Sequence, residues 1–244
     1  METRIELPEN AYSIEGRVRL SEVDSTGRLR LPMVINYFQD CSTFQSEDLG
    51  LGIEHCSKQN RAWILSSWQV KIEKLPRLGE EIKASTWASG FNRFLGERDF
   101  AMQDKEGNTL ACAHSLWVFM DTKKGLMIPF KDEDVLPYGL GSSLEGFEDS
   151  RKILMPKGGV KGELFAVRRE QIDTNQHVNN CQYLQMALEA IPEELDIRKI
   201  RVSYKQSATY GAYIYPELVK EEDGYVVALN NEAGEQYAIV ELRI

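Results

Sequence analysis

The stretch VRREQIDTNQ, residues 167–176, repeats an earlier stretch of the same chain, VRLSEVDSTG, residues 18–27. The alignment places Asp173 against Asp24. Two further matches follow in the same order, Val70 with Val202 and Gly79 with Gly211. Similarities that keep their order along a chain indicate an internal duplication. The sequence therefore predicts two copies of one structural plan.

A pattern typical of an α-helix follows each repeat. The first, LPMVINYFQDCSTFQSEDLG, has Pro32 near its start and Gly50 where a C-terminal cap would lie. The second, VNNCQYLQMALEAIPEE, has apolar residues at helical spacing, leaves a narrow polar stripe and stops at Pro192. Both helices are therefore predicted to be buried.

Each helix pattern is followed by four segments that are typical of β-strands, because they are rich in β-branched and aromatic residues and separated by turn signals. These segments are AWILSSWQVKI, EEIKASTWAS, FLGERDFAMQD and TLACAHSLWVFM in the first half, and IRKIRVSYKQ, AYIYPELVKEE, GYVVALNNE and EQYAIVELRI in the second. The order predicts an α+β unit in which an antiparallel sheet wraps around a central helix. We predict an N-terminal domain over residues 1–130, a linker rich in proline and glycine over 131–160, and a C-terminal domain over 161–244.

The composition limits the classes of function. The chain of 244 residues is 42% hydrophobic and 27% charged, as expected for a globular protein, and its net charge of -9 argues against nonspecific nucleic-acid binding. No apolar run approaches the roughly 18 residues of a membrane span. The four cysteines form no C-x-x-C pair, so a disulfide or zinc framework is not expected. We expect a cytoplasmic protein without a bound metal.

Basic residues form two local groups that could meet an anionic partner. Arg168 and Arg169 form one group, and the other comprises Arg198, Lys199, Arg201 and Lys205. Such charges are also common on solvated strand faces that bind nothing.

Asp173, Asn175 and His177 occupy every second position just before the second helix. If this segment is extended, the three side chains point to one face. The free N–H groups at the start of the helix, such as those of Val178 or Asn179, would then stabilise an oxyanion. The alternative is that Asp173 or Asn175 caps the helix and that His177 is structural.

The two copies differ at two of these three positions. Where the second copy has Asn175 and His177, the first has Thr26 and Arg28. The comparison indicates that the second copy alone is equipped for chemistry.

The stretch DTNQHVNNCQYLQ, residues 173–185, resembles the D-x-N-x-H-V-N-N-x-x-Y signature of the fatty acyl-ACP thioesterases of plants and bacteria. Residues 61–87 and the WVFMD stretch at 117–121 are similar to the first half of that family, so the resemblance covers nearly the whole chain. It implies a tandem, or double, hot-dog fold. It also implies cytoplasmic hydrolysis of the thioester that joins a fatty acyl chain to acyl carrier protein, which terminates fatty acid synthesis. The second half would be catalytic, and the first half would shape the acyl pocket.

The resemblance also implies roles for single residues. Asp173, Asn175 and His177 correspond to the catalytic aspartate, asparagine and histidine of the family. We assign Asn175 and a helix-terminal N–H to the thioester oxygen, and His177 to the activation or orientation of water. Asp173 would hold the imidazole or the asparagine. No metal or organic cofactor is needed, because a thioester is already an activated acyl group.

The chain departs from the family pattern at one place. The plant enzymes carry a glutamate and a cysteine where this chain has Ser207 and Ala208. A covalent cysteine mechanism thus has no residue at this position, and Cys181 inside the helix is better explained by packing. The group that accepts the proton of water stays open. We expect His114, in an apolar strand, to be structural and His55 to be exposed.

The sequence leaves several other points open. Acyl-CoA hydrolysis, or hydration of an enoyl thioester, is an alternative because hot-dog folds carry several thioester chemistries. A noncatalytic acyl-thioester-binding protein is the second alternative, since the glutamate is missing. The partner would be acyl carrier protein, a homodimer is possible, and the preferred acyl chain length is undetermined.

Overall fold

The computed structural model describes residues 4–148 and 150–244. Within them it has four α-helices: α1 (Leu31–Asp48), α2 (Ile53–Lys58), α3 (Asp132–Val135) and α4 (Asn180–Ala190). The strands are β1 (Tyr12–Arg17), β2 (Arg61–Ile72), β3 (Glu81–Asn92), β4 (Leu95–Asp104), β5 (Thr109–Asp121), β6 (Leu126–Met127), β7 (Val160–Lys161), β8 (Phe165–Ala166), β9 (Lys199–Tyr204), β10 (Tyr213–Glu221), β11 (Gly224–Asn230) and β12 (Gln236–Arg243). Short 3-10 helices cover Leu20–Glu22, Leu136–Tyr138 and Arg169–Gln171.

Internal contacts divide the chain into two compact units. The first comprises Met1–Leu65 and Lys71–Phe147, and the second comprises Ser66–Val70 and Glu148–Ile244. The division after Phe147 falls inside the segment 131–160 that the sequence marks as a linker. One residue of that segment, Asp149, lies outside the described residues.

The first unit is an antiparallel sheet with α1 packed on it. The strands lie in the order β1-β3-β4-β5, β6 adds to β5, and α1 contacts β1 and β3. On the face towards the helix, the rings of Phe38 and Phe100 have their centroids 5.2 Å apart, and both side chains are fully buried. Burying one side chain of this size contributes about 2 kcal/mol, so the apolar stripe of α1 fixes the helix to the sheet.

The second unit repeats this arrangement with a shorter helix. The strands lie in the order β9-β12-β11-β10, β7 and β8 add to β10, and α4 contacts β10, β11 and β12. The buried face of α4 carries Cys181, Tyr183, Leu184, Met186 and Ala187. The helix ends at Ala190 because Ile191 is extended and Pro192 follows. Each unit is thus an antiparallel sheet around one helix, which confirms the predicted α+β class.

The helices and strands that the sequence predicted are confirmed, and several shorter elements were not predicted. Both predicted helices and all eight predicted strands are present. The unpredicted elements are β1, β6, β7, β8, α2, α3 and the three 3-10 helices. Within α1, Phe44 is 48% exposed, although the sequence predicts a buried helix. Among the described helices, none combines the length and apolar character that crossing a membrane requires.

Candidate active site

The signature segment is a closed turn and not an extended strand. Arg169–Gln171 form a 3-10 helix, and Ile172 and Val178 form an isolated antiparallel bridge. Within the bridge, the N–H of Asp173 donates to the carbonyl oxygen of His177 at 2.8 Å. The expectation of an extended segment with three side chains on one face is therefore wrong, because the backbone reverses direction between residues 173 and 177.

The carboxylate of Asp173 holds the inside of this turn. Its Oδ1 accepts hydrogen bonds from the backbone N–H of Asn175 at 2.8 Å and from that of His177 at 3.3 Å. The turn also needs a positive φ of 63° at Gln176, a conformation that costs a non-glycine residue about 1 kcal/mol. Asp173 therefore shapes the backbone that presents the other two side chains, and within the described residues it has no hydrogen bond to the imidazole of His177.

The first unit contains the same turn. The Oδ1 of Asp24 accepts from the N–H of Thr26 at 2.8 Å and from that of Arg28 at 3.1 Å. The N–H of Asp24 in turn donates to the carbonyl oxygen of Arg28 at 2.8 Å. Gly27, with φ of 78°, stands where the second unit has Gln176. The aspartate thus belongs to the turn in both copies.

The chemical difference between the copies lies in two exposed side chains. Asn175 and His177 both project from the turn into solvent, and Asp173 is half-buried. An exposed imidazole can exchange protons with water, and an exposed carboxamide can donate a hydrogen bond to an oxygen that becomes negative. These two positions carry Thr26 and Arg28 in the first copy, so only the second turn offers both functions.

The two N–H groups that were expected to bind an oxyanion are already in use. The N–H of Val178 donates to the carbonyl oxygen of Ala208 at 2.9 Å, and the N–H of Asn179 donates to that of Gln171 at 2.8 Å. The prediction that Val178 and Asn179 offer free donors is therefore wrong. Both residues instead fix the turn to its neighbours.

The cap of α4 is also a different residue from those that the sequence suggested. The helix begins at Asn180, and the side chain of Asn179 accepts from the N–H of Cys181 at 3.0 Å. Asn179 is thus the N-cap, and neither Asp173 nor Asn175 has that role. Since the cap lies two residues after His177, the free end of the helix begins beside the turn.

Ser207 lies next to the turn through a backbone contact. It is exposed in the loop after β9, and its neighbour Ala208 accepts the hydrogen bond from Val178. The N–H of Ala208 donates to the hydroxyl oxygen of Tyr183 at 2.8 Å. Burial raises the pKa of Tyr183 to about 12, so this phenol is neutral at physiological pH. Sequence reasoning assigned no role to Tyr183.

A second tyrosine holds the start of α4. The hydroxyl of Tyr204 donates to the carbonyl oxygen of Asn180 at 3.0 Å, and its ring meets that of Tyr183 edge-on at 5.8 Å. Burial raises the pKa of Tyr204 as well. The two phenols therefore connect α4 with β9 and the loop that follows it.

His114 belongs to a buried pair in the first unit. Its Nδ1 lies 2.7 Å from Oδ1 of Asp99, which is fully buried, and its ring stacks on that of Phe147 at 5.9 Å. The second carboxylate oxygen of Asp99 accepts from the N–H of Leu144 at 2.8 Å. Nδ1 of His114 and both carboxylate oxygens of Asp99 thus have structural partners, in line with the structural role expected for His114.

The cysteines and the metal-ligating side chains suggest no further chemistry. Cys41, Cys56, Cys112 and Cys181 are free thiols. Burial raises the pKa of Cys41 to about 12 and that of Cys112 to about 11, which disfavours a reactive thiolate. In the part of the chain that the structure describes, no three His, Cys, Asp or Glu side chains are grouped so that they could hold a metal ion.

The two basic groups differ in their ion pairs. Arg201 is paired with Glu148 at 3.0 Å and with Glu241 at 2.7 Å. Arg168 and Arg169 precede the turn and have no carboxylate within ion-pair distance among residues 4–148 and 150–244. Arg169 lies instead over the ring of Tyr210, 5.0 Å from its centroid. In the other group, Arg198 is paired with Asp196 at 2.6 Å, whereas Lys199 and Lys205 have no ion pair within the described residues. Arg168 and Arg169 are thus available to an anionic partner, as are these two lysines.

Comparison with known proteins places both units in one family. The sequence model described as the acyl-ACP thioesterase N-terminal domain matches residues 9–138, and the model of the C-terminal domain matches residues 157–243. A chloroplastic palmitoyl-acyl carrier protein thioesterase of Arabidopsis thaliana is 26% identical over 206 residues, covering 78% of this chain and 50% of the relative. A chloroplastic acyl-[acyl-carrier-protein] hydrolase of Cuphea viscosissima is 29% identical over 193 residues, covering 73% and 46%. The chain spans about half the length of these curated relatives.

Solved structures show the same fold. An acyl-ACP thioesterase from Bacteroides thetaiotaomicron superposes with a TM-score of 0.87 at 22% identity, covering 96% of this chain and 97% of the other. A 12:0-ACP thioesterase from Umbellularia californica superposes with a TM-score of 0.83 at 20% identity, covering 98% of each. The double hot-dog fold expected from the sequence is confirmed. With both domain models matched in order, the chain belongs to the acyl-ACP thioesterase family.

Proposed function

We propose that this protein hydrolyses the thioester of a fatty acyl group carried by acyl carrier protein and releases free fatty acid. One observation supports this most directly. The two homologous turns share their backbone hydrogen bonds, and only the turn in the C-terminal domain carries Asn175 and His177, exposed at the positions of the family signature. A turn that served the fold alone would not require this pair, as the first copy demonstrates.

The proposed reaction needs only water and the two side chains. A water oxygen attacks the carbonyl carbon of the thioester while the imidazole of His177 accepts the proton of water. The side-chain N–H of Asn175 donates to the carbonyl oxygen, which becomes negative in the tetrahedral intermediate. The carbon–sulfur bond then breaks, and the imidazolium returns the proton to the sulfur of the carrier. Asp173 contributes by fixing the backbone of both residues.

The partner would be a negatively charged carrier that meets Arg168 and Arg169 beside the turn. Acyl-CoA hydrolysis would not require such a carrier, and a protein that only binds acyl-ACP would release no thiol. A cytoplasmic location and a homodimer remain predictions, which cell fractionation and light scattering of the purified chain would test.

The test is an assay of the purified chain with acyl-ACP, acyl-CoA and enoyl thioesters of matched chain length, in which free thiol, free fatty acid and hydrated product are measured. We expect thiol and fatty acid in equal amounts, with acyl-ACP preferred. His177→Ala should lower turnover by about 100-fold or more. The matched control is Arg28→Ala at the equivalent position of the first turn, which should leave turnover unchanged.

Each other outcome contradicts a defined part of the proposal. Preference for acyl-CoA would reassign the substrate, and hydration without thiol release would reassign the reaction. Binding of acyl-ACP without any product would indicate a noncatalytic binding protein. Equal turnover in the wild type and the His177 variant would remove the assignment of the site.

A further inference from the structure

We propose that Tyr183 is a positioning residue for this reaction: its hydroxyl holds the Ser207–Ala208 segment against the turn that bears His177. The inference rests on the proposed function for its catalytic meaning, and on the hydrogen bonds of the second unit for its geometry.

The geometry depends on Ala208, whose N–H and carbonyl oxygen each form a hydrogen bond. The N–H of Ala208 donates to the hydroxyl of Tyr183 at 2.8 Å, and the carbonyl oxygen of Ala208 accepts from the N–H of Val178 at 2.9 Å. Ala208 is 1% exposed and Tyr183 is 2% exposed, so water does not compete for these groups. A continuous path of hydrogen bonds therefore runs from the hydroxyl of Tyr183 on α4, through Ala208, to Val178, the residue after His177.

The first unit keeps only half of this path. By the same alignments that pair Gly79 with Gly211 and Asp24 with Asp173, Pro76 stands at the position of Ala208 and Val34 at that of Tyr183. The carbonyl oxygen of Pro76 accepts from the N–H of Leu29 at 2.8 Å, as Ala208 accepts from Val178. Proline has no N–H and valine has no acceptor. The donor and its acceptor are thus present together in one copy and absent together from the other.

This paired difference is not required by packing. Val34 is fully buried in the first unit, so an apolar residue and a proline suffice to join helix and loop in this fold. A buried phenol and a buried N–H would each cost free energy without a partner, and together they satisfy each other. The copy that carries His177 has the hydrogen bond between Ala208 and Tyr183. This bond sets the loop that bears Ser207 at a fixed distance from the turn. A hydrogen bond defines that distance more closely than an apolar contact does.

The experiment compares Tyr183→Phe with the wild type in the full chain, using acyl-ACP hydrolysis, thermal unfolding and hydrogen exchange of single amides. We expect kcat to fall by about tenfold with KM nearly unchanged, because substrate binding does not involve the phenol. The amide of Val178 should exchange at least about tenfold faster, while that of Leu29 in the first unit stays unchanged. The matched control is Tyr225→Phe, which removes the hydroxyl that bonds to Glu193 in the same unit and should alter neither readout.

A double variant separates positioning from stability. Adding Ala208→Pro to Tyr183→Phe removes the N–H that Tyr183→Phe leaves without an acceptor, so that donor and acceptor are both absent, as they are in the first unit. We expect the thermal stability to recover and kcat to stay low. Recovery of both would show that the hydroxyl serves stability alone, and an unchanged exchange rate of Val178 in Tyr183→Phe would overturn the geometric claim. If the wild type hydrolyses no thioester, the proposed function fails, and the exchange rates still decide whether Tyr183 holds the turn.

Discussion

The backbone N–H of Val178 donates to the carbonyl oxygen of Ala208, 2.9 Å away. This bond joins the residue after His177 to the residue after Ser207. The side chains of His177 and Ser207 therefore extend from two backbone segments that this hydrogen bond holds together. Position 207, which the resemblance aligns with the glutamate of the family pattern, is thus next to the turn in space although it lies 30 residues after His177 in the sequence.

Replacing Ser207 with glutamate should restore a proton acceptor near the turn. We expect Ser207→Glu to raise kcat by about tenfold, because a carboxylate placed beside the turn offers the proton of water a second acceptor in addition to His177. Ser207→Gln, which has the same shape without the charge, is the control. Steady-state turnover of acyl-ACP is the measurement. A fall in both variants, or the same gain in both, would show that no base acts at this position.

The two turn aspartates should behave alike in stability and differently in turnover. Asp173→Ala and Asp24→Ala each remove an acceptor of two backbone N–H groups, so each should lower the free energy of unfolding by about 1–2 kcal/mol. Only Asp173→Ala should also lower kcat, by about 100-fold, because it displaces the backbone of Asn175 and His177. Urea unfolding and steady-state kinetics measure the two effects. Equal turnover in both variants would exclude a role of the second turn in catalysis.

The contribution of Asp24 to stability should depend on pH. Burial alone would raise the pKa of this carboxyl, and the hydrogen bonds from Thr26 and Arg28 outweigh it, so the pKa lies below its ordinary value. A group whose pKa is lowered by folding stabilises the protein above its unfolded pKa, and the effect is lost as the pH falls through the folded value. The stability difference between the wild type and Asp24→Ala should therefore be largest near neutral pH and vanish towards about pH 2. Urea unfolding at several pH values measures it, and a difference that grows on acidification would contradict the sign.

The pair of His114 and Asp99 should matter for folding and not for turnover. Asp99→Ala leaves the imidazole of His114 and the N–H of Leu144 without their acceptor at a buried site, so we expect a loss of about 3 kcal/mol in the free energy of unfolding. The kcat of the folded fraction should stay within about twofold of the wild type. Thermal unfolding and active-site-normalised kinetics check this. A large loss of kcat in a folded variant would move His114 into the catalytic machinery.

The sequence predicts the fold well because the long elements carry strong patterns. The eight long strands are rich in β-branched and aromatic residues, and α1 and α4 have clear stops at Gly50 and Pro192. Strand β1, Tyr12–Arg17, was missed because the sequence YSIEGR has little apolar character, and it lies at the edge of the sheet beside β3. The strands β6, β7 and β8 have two residues each, which is too short for any periodicity.

The sequence predicted which residues form the candidate site, and it did not predict their backbone conformation. The alternation of Asp173, Asn175 and His177 suggested a strand, although the same spacing arises when an aspartate side chain accepts from the backbone two and four residues later. Gly27, aligned with Gln176, was the available signal, since a glycine at this point of the first copy is typical of a positive φ. The contact between Tyr183 and Ala208 is long-range in sequence and became visible only in the folded chain.

The two turns share their main-chain bonds and one carboxylate acceptor each. Among the outward side chains at 26, 28, 175 and 177, that of Thr26 adds a bond within its own turn, since its hydroxyl donates to Oδ1 of Asp24 at 2.7 Å. A duplicated scaffold of this kind lets a lineage change its chemistry without rebuilding its architecture. Asparagine and histidine could be introduced at positions 26 and 28 of the N-terminal turn, and we expect the protein to tolerate them with the loss of one side-chain hydrogen bond, that of Thr26.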